Sequence, residues 1–257
     1  MTENAKETEK TGTVTLERYN WVERWTHTFH ALAMLLLIFT GLAIYFRWEF
    51  ITFHNARVIH MIMVPVLILT NWFLVPYGII SHGYAEGGIK GIIMHFKNSY
   101  IFGKDDFLRL KGMILNFFGK QTDYPKFTVY NTKTGHYVTK LHPVFKLIIV
   151  LEGMCIFLIF ITGIVLYKVD WGLFGLPIAV WITQVFGWIS PLFNLSGLAF
   201  IRWFHLALTY FFILELIVHV LILEFDPKVI RYWKSIFYDG KEEVHGPVIQ
   251  TIDEDHH

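Results

Sequence analysis

The sequence has little charge and almost no cysteine. Charged residues make up 17% of its 257 residues, below the roughly 25% that is typical of soluble domains. Cys155 is the only cysteine, which excludes a disulfide framework, a zinc cluster or an iron–sulfur cluster held by this chain alone. A net charge of +1 gives no indication of nucleic-acid binding. With 54% hydrophobic residues, the composition indicates a membrane protein.

Four segments are long and apolar enough to cross a bilayer, which takes roughly 20 residues of helix. A fifth uncharged stretch, residues 171–201, is interrupted by glycines and prolines, so we expect a loop with short helices along the membrane surface. In the second span the motif "HGYAEGG" is expected to end the helix. The predicted fold is all-α and integral to the membrane, a four-helix bundle with spans at about residues 26–46, 58–80, 147–167 and 203–223.

Basic residues are concentrated on one side of this predicted topology. With four spans, the N-terminal residues 1–25, the loop 81–146 and the C-terminal tail 224–257 share a side that holds 18 of the 22 Lys and Arg residues. The loop 168–202 lies on the other side. Because basic loops tend to stay in the cytoplasm, we expect a protein of the cytoplasmic (inner) membrane with both termini cytoplasmic.

Two histidines of the fourth span, His205 and His219, lie fourteen residues apart. On an α-helix this interval rises about 21 Å and completes about four turns, so both imidazoles face nearly the same side at different depths. A lone histidine near a helix end is more often a hydrogen-bonded interface residue, but ionisable groups inside a bilayer tend to be functional. The interval suits two separate sites that share one helix.

Each of the two depths has a second histidine. His27, at the cytoplasmic start of the first span, is level with His219, and His60, at the outer start of the second span, is level with His205. Zinc and copper sites usually take three or four protein ligands, whereas a haem needs only two because its porphyrin supplies four. His30, three residues after His27, is the rival for the inner position. The sequence therefore predicts two stacked b-type haems, the outer one held by His60 and His205 and the inner one by His27 and His219.

Glycines and arginines near these histidines fit contacts with haem. Gly41 repeats the fourteen-residue interval after the first-span ligand, and Gly163 lies in the third span. A missing side chain lets a haem ring approach the helix, although ordinary packing of small residues is an equal alternative. Arg24, Arg57 and Arg202 each precede a proposed ligand by three residues. We expect them either to meet haem propionates or to anchor the chain at the membrane interface.

These motifs resemble the di-haem cytochrome b subunits of membrane-bound nickel–iron hydrogenases and formate dehydrogenases. The resemblance covers about residues 19–240. It includes "RWTH" with a glycine fourteen residues after its histidine, "RVIH" at the start of the second span, "TGIVLY" in the third span and the two histidines of the fourth. In that family the outer haem is ligated from spans two and four and the inner haem from spans one and four, which gives the same two pairs.

The resemblance also implies partners and a direction of electron flow. It implies a periplasmic catalytic subunit and an iron–sulfur subunit that oxidise hydrogen or formate, an electron path from the outer to the inner haem, and reduction of a quinone (menaquinone or ubiquinone) near the cytoplasmic face. The chain would anchor these subunits in the lipid and have no substrate-oxidising site of its own. The long connection 168–202 and the segment "EFDPKVIRYWKSIFYDG" look more like the hydrogenase branch.

Three further residues are candidates for binding the quinone or delivering its protons. His142 stands where the family often has an asparagine, and it would hydrogen-bond a quinone oxygen, deliver a proton or merely cap the third span. Glu152 and Glu215 lie within the third and fourth spans. They would relay protons, or else be neutral acids bonded to a neighbouring helix.

Two other functional classes fit parts of the pattern. A metal-ion or proton transporter would also use intramembrane histidine and glutamate. A purely structural anchor would need the four spans but none of the paired histidines. A bound haem distinguishes the cytochrome from both alternatives.

Overall fold

The computed structural model describes residues 13–120, 129–131, 136–139, 141–225, 235–245 and 250–252. Most of these residues are helical, and four helices are long and apolar enough to cross a membrane. In the most apolar stretch of each of these helices, no more than 22% of the residues are buried inside the protein. Most of the remaining side chains are therefore available to lipid. The predicted helical fold is confirmed, with four candidate spans. The first to fourth spans are Trp21–Phe46, Phe53–Ala85, Pro143–Tyr167 and Gly197–Leu221.

The described residues include seven α-helices and five short strands. The helices are α1 Trp21–Phe46, α2 Phe53–Ile68, α3 Val75–Tyr100, α4 Lys104–Phe117, α5 Pro143–Tyr167, α6 Ile178–Ile189 and α7 Gly197–Phe225. The strands are β1 Thr13–Glu17, β2 Val129–Asn131, β3 His136–Thr139, β4 Lys241–His245 and β5 Gln250–Ile252. They form two small sheets, β1 with β4, and β2 between β3 and β5. The all-α prediction therefore holds for the spans but did not include these sheets.

The second span is not one regular helix. α2 contains Pro65, which has no N–H to donate to the helical ladder, and a π-helical turn at Leu69–Leu74 connects α2 to α3. The helix also continues past its predicted end at residue 80. Its backbone leaves helical geometry only at Gly87 and Gly88, the last two residues of "HGYAEGG". Gly88 has a φ of 60°, which costs glycine little because it has no Cβ.

The two ends of the chain are joined by main-chain pairing. β1 pairs antiparallel with β4 along its whole length. Beside these strands the Arg18 guanidinium donates to a Glu242 carboxylate oxygen at 2.7 Å, and both side chains are almost completely buried. Segments from both ends can pair in this way only if they lie on the same side of a membrane. The pairing therefore agrees with an even number of spans.

The connection between the second and third spans contains a buried ion pair. At the start of α4 the Gly103 N–H donates to Asp106 Oδ2 at 3.0 Å. Lys146, in the first turn of α5, donates to the two Asp106 carboxylate oxygens at 2.9 and 3.0 Å. The Asn98 carbonyl accepts a further hydrogen bond from Lys146 Nζ at 2.6 Å. These bonds provide the counter-charge that a buried lysine requires.

The chain divides into two compact units, each with one of the predicted histidine pairs. The first unit comprises Met1–Met34, Pro65–Ile149 and His219–His257, and it contains His27 and His219. The second unit comprises Leu35–Val64 and Val150–Val218, and it contains His60 and His205. In the second unit, α6 is the short helix expected between the third and fourth spans. Its core side chains come from α5, α6 and α7, namely Val165, Ala179, Phe186, Phe200 and Ile201.

A substitution of Glu242 tests how the two chain ends are held together. Glu242→Gln leaves the buried Arg18 guanidinium without its counter-charge, a change that costs about 3–5 kcal/mol. We expect the amides of β1 and β4 to exchange faster in hydrogen-exchange mass spectrometry. Lys241→Gln is the matched control, because it removes an exposed charge from the same strand. Equal protection in the wild type and Glu242→Gln would contradict the prediction.

Candidate functional site

In the second unit, two threonine hydroxyls hold the imidazoles of His60 and His205. Thr40, in the first span, has its Oγ1 2.9 Å from His60 Nδ1. Thr162, in the third span, has its Oγ1 2.9 Å from His205 Nδ1. Both threonines are fully buried. The Nδ1 side of each ring is therefore fixed, and Nε2 is the nitrogen that remains for a metal.

The two predicted glycines lie against the same imidazoles. A Cβ added to Gly41 would be 3.4 Å from Cε1 of His60, and a Cβ added to Gly163 would be 3.5 Å from Cε1 of His205. Even an alanine methyl would thus touch the ring, and a larger side chain would enter its space. Each glycine lets the helix backbone approach the imidazole closely. The predicted contact of these glycines with a haem ring stays a prediction.

The predicted arginines of the second unit lie at its exposed positions. The Arg57 guanidinium is 5.6 Å from the ring centre of Tyr167, within the range of a cation–π contact. Arg202 is exposed near the start of α7. His60 and His205 both belong to this unit. The predicted contacts of both arginines with propionates stay predictions.

In the first unit, His27 and His219 face one another as a pair. Their ring centres are 6.3 Å apart, and the ring planes are inclined by 33°. A metal ion bonded to two imidazole nitrogens at about 2 Å each would hold the ring centres roughly 6 Å apart, since each centre lies about 1 Å beyond its nitrogen. The observed separation matches that requirement.

Two aromatic rings flank this pair. Phe145, in the third span, stacks on His219 with the ring centres 4.7 Å apart and the planes inclined by 23°. Phe237, in the π-helical turn Ser235–Asp239, meets His27 edge-to-face with the ring centres 5.3 Å apart. These contacts restrict the orientation of both imidazoles and give them apolar neighbours.

His30, the rival for the inner position, lies beside another partner. Its Nδ1 is 3.4 Å from Oγ1 of Thr70, a buried threonine in the π-helical turn of the second span. The Thr70 Oγ1 also lies 3.0 Å from each of the Val66 and Leu67 carbonyl oxygens, which share its one proton. His27, and not His30, lies beside His219, and its assignment as the ligand stays a prediction.

Arg24 contacts the C-terminal part of the chain. Its guanidinium donates to the backbone carbonyl of Tyr238. It had been expected to reach a propionate or to anchor the chain, and in the structure it joins the first turn of α1 to the turn that carries Phe237. This contact supports the position of an aromatic neighbour of His27.

His142 occupies the N-terminal end of the third span. It is 2% exposed, and its Nδ1 accepts the backbone N–H of Val144 at 3.3 Å. Its Nε2 lies 3.2 Å from Sδ of Met113. Of the roles considered from the sequence, the structure shows the helix cap. Binding of a quinone or proton delivery by His142 stays a prediction.

The two glutamates predicted to take part in proton transfer lie within the spans, and the described residues contain no cluster of side chains that could bind a metal ion without a porphyrin. Glu152 and Glu215 are half-buried in the third and fourth spans. Among the residues that the structure describes, no three His, Cys, Asp or Glu side chains form a group that could hold a metal ion. Histidine pairs are the arrangement that haem uses, since its porphyrin provides the remaining ligands.

No family model matches the chain. It is 56% identical over 232 residues to the "F420 non-reducing hydrogenase II cytochrome subunit" of Methanosarcina mazei, in a match that covers 90% of this chain and 84% of that protein. The chain belongs to the hydrogenase cytochrome subunits. The resemblance stated from the histidine motifs is confirmed, and the similarity is to a hydrogenase, the preferred branch.

Sequence reasoning missed several residues that shape this hydrogenase cytochrome subunit. Thr40 and Thr162 were not singled out, although each directly precedes a predicted glycine in "FTGLAIY" and "ITGIVLY". That repeated Thr-Gly dipeptide was the available signal. Phe145 and Phe237 had no comparable signal, because phenylalanine is abundant throughout the chain.

Two substitutions of His142 test whether its side chain stabilises the start of the third-span helix. Asparagine is among the best N-cap residues, so His142→Asn should keep the helix start, whereas His142→Ala should cost about 0.5–2 kcal/mol. We expect the temperature of thermal unfolding to be lowered by His142→Ala and unchanged in His142→Asn, because asparagine can accept the Val144 N–H in place of the imidazole. Equal unfolding temperatures of His142→Ala and the wild type would contradict the cap.

Proposed function

We propose that this cytochrome subunit binds two b-type haems and carries electrons from its hydrogenase partners across the membrane to a quinone. One haem would be held by His60 and His205 and the other by His27 and His219. The observation that carries the proposal is the 6.3 Å separation of the His27 and His219 rings, which fits two imidazoles on one iron. The word cytochrome in the name of the Methanosarcina mazei relative also implies haem.

The surroundings of His60 and His205 support the second haem. The Nδ1 atoms face threonine hydroxyls, and histidines that ligate metals usually have this nitrogen bonded to an oxygen acceptor. Gly41 and Gly163 keep the Cε1 edge of each ring clear of side chains. These contacts leave Nε2 of both rings as the atom suited to iron.

A haem with two imidazole ligands supplies a one-electron carrier without an open position for substrate. The chain itself fixes the ligands and keeps water away. Phe145 and Phe237 give the His27–His219 pair apolar neighbours, and Thr40 and Thr162 are fully buried beside the other pair. Oxidation of hydrogen would belong to the catalytic partner.

Partners and orientation follow from the charge distribution and from the relative. We propose that a catalytic subunit and an iron–sulfur subunit bind on the outer face of the cytoplasmic membrane, because the side with both termini and the loop 81–146 carries most of the Lys and Arg residues. The pairing of β1 with β4 supports the placement of both ends on one side. The name of the relative, a hydrogenase cytochrome subunit, supports hydrogen as the source of the electrons.

Reduction of a quinone requires two protons as well as two electrons. Glu152 and Glu215, half-buried in the third and fourth spans, are the acids that we propose for proton transfer, since intramembrane carboxyl groups commonly serve in proton relays. His142 is the further candidate near the start of the third span.

Single removal of each histidine tests the assignment. His60→Ala and His205→Ala should each lose the same haem, and His27→Ala and His219→Ala the other, because an iron deprived of one strong axial ligand binds weakly. His30→Ala is the matched control and should retain both. The measurements are haem content and a redox titration followed by visible absorbance in membranes.

Two outcomes would contradict that assignment. If His30→Ala lost a haem that His27→Ala retained, the ligand from the first span would have to be exchanged. If all four ligand variants kept the spectrum and potentials of the wild type, the histidine pairs would not be haem ligands.

A further inference from the structure

Thr40 and Thr162 contact the two histidines of the second unit in the same way. They lie in the first and third spans, which supply no ligand to this pair. Each hydroxyl oxygen is 2.9 Å from an Nδ1 atom, of His60 in one case and His205 in the other. Both threonines are 0% exposed, so water does not compete for these bonds.

The single proton of each hydroxyl is used elsewhere. Thr40 Oγ1 donates to the Leu36 carbonyl at 2.6 Å, and Thr162 Oγ1 donates to the Leu158 carbonyl at 2.9 Å. Both are back-bonds to the carbonyl four residues earlier in the helix. Since a hydroxyl has only one proton to give, its oxygen must accept from the imidazole.

These hydrogen bonds select one tautomer of each imidazole. Nδ1 carries the proton that the threonine oxygen accepts, and the lone pair lies on Nε2, the nitrogen on the far side of the ring.

The adjacent glycines complete the arrangement. Gly41 and Gly163 follow the two threonines directly and lie against Cε1 of His60 and His205. A Thr-Gly dipeptide therefore borders both Nδ1 and Cε1 of each ring. Thr40-Gly41 contacts His60, and Thr162-Gly163 contacts His205.

We propose that Thr40 and Thr162 are positioning residues that fix the tautomer and raise the donor strength of both axial ligands of one haem. The inference rests on the proposed function. An acceptor on Nδ1–H makes an imidazole a more basic ligand, which favours ferric over ferrous iron. The two hydroxyls thus hold the reduction potential of that haem below the value it would have without them.

Valine and serine substitutions test this role in the membrane-bound hydrogenase complex. Valine keeps the shape of threonine and removes the hydroxyl, whereas serine keeps the hydroxyl. Thr40→Val and Thr162→Val should each raise the midpoint potential of the haem that His60→Ala removes and leave the other potential unchanged. Thr40→Ser and Thr162→Ser should restore the wild-type value. Redox titration gives the potentials, and electron paramagnetic resonance of the oxidised, low-spin iron should show altered g values only for that haem.

Thr209 provides the matched control. It is buried in the fourth span, and its hydroxyl donates to the backbone carbonyl of His205 at 3.0 Å. Thr209→Val therefore removes a back-bonding hydroxyl beside the same ligand without removing the acceptor on Nδ1. Both potentials and both sets of g values should match those of the wild type.

The outcomes separate this inference from the proposed function. A raised midpoint potential in the valine variants supports the positioning role. Loss of that haem in a valine variant supports it too, provided that the serine variant at the same position retains the haem. Two normal haems with unmoved potentials and g values in Thr40→Val and Thr162→Val would overturn the inference alone. A shift of equal size in Thr209→Val would also overturn it. A wild-type chain without haem would overturn the proposed function as well.

Discussion

Each of the two ring nitrogens of a histidine inside a membrane needs a hydrogen-bond partner or a metal, because the hydrocarbon contains no water that could bind them. The second unit meets this constraint at Nδ1 with buried threonine hydroxyls, and the haem iron that we propose would meet it at Nε2. In the first unit, two imidazoles face one another at 6.3 Å. The spans, the glycines and the flanking aromatic rings are arranged around these requirements.

Much of the helical fold could be predicted from the sequence, as could the closeness of His27 and His219, because their signals are local. A run of apolar residues determines a span, and a fourteen-residue interval determines which face of a helix His205 and His219 share. The positions of Thr40 and Thr162 depend on where neighbouring helices meet. A single sequence does not contain that register, and threonine is common in membrane helices.

Other features depended on pairing between distant parts of the chain. β1 and β4 come from opposite ends, and Phe237 reaches His27 from the C-terminal segment. The motif "HGYAEGG" does interrupt the helix, but later than the predicted end at residue 80. A single glycine only lowers helix propensity, and the break falls at the adjacent Gly87 and Gly88. Of the roles predicted for His142, the helix cap is the one that the folded chain shows, because its Nδ1 accepts the Val144 N–H.

In the proposed cytochrome, two pairs of histidines each ligate one haem iron. The number of haems per purified wild-type chain tests this most directly. It is measured from the absorbance of haem extracted in alkaline pyridine, and electron paramagnetic resonance of the oxidised sample gives the spin state of the iron. The account predicts two b-type haems per chain, both low-spin because imidazole fills both axial positions. A chain with no haem, a single haem or a high-spin iron open to added ligands would contradict it.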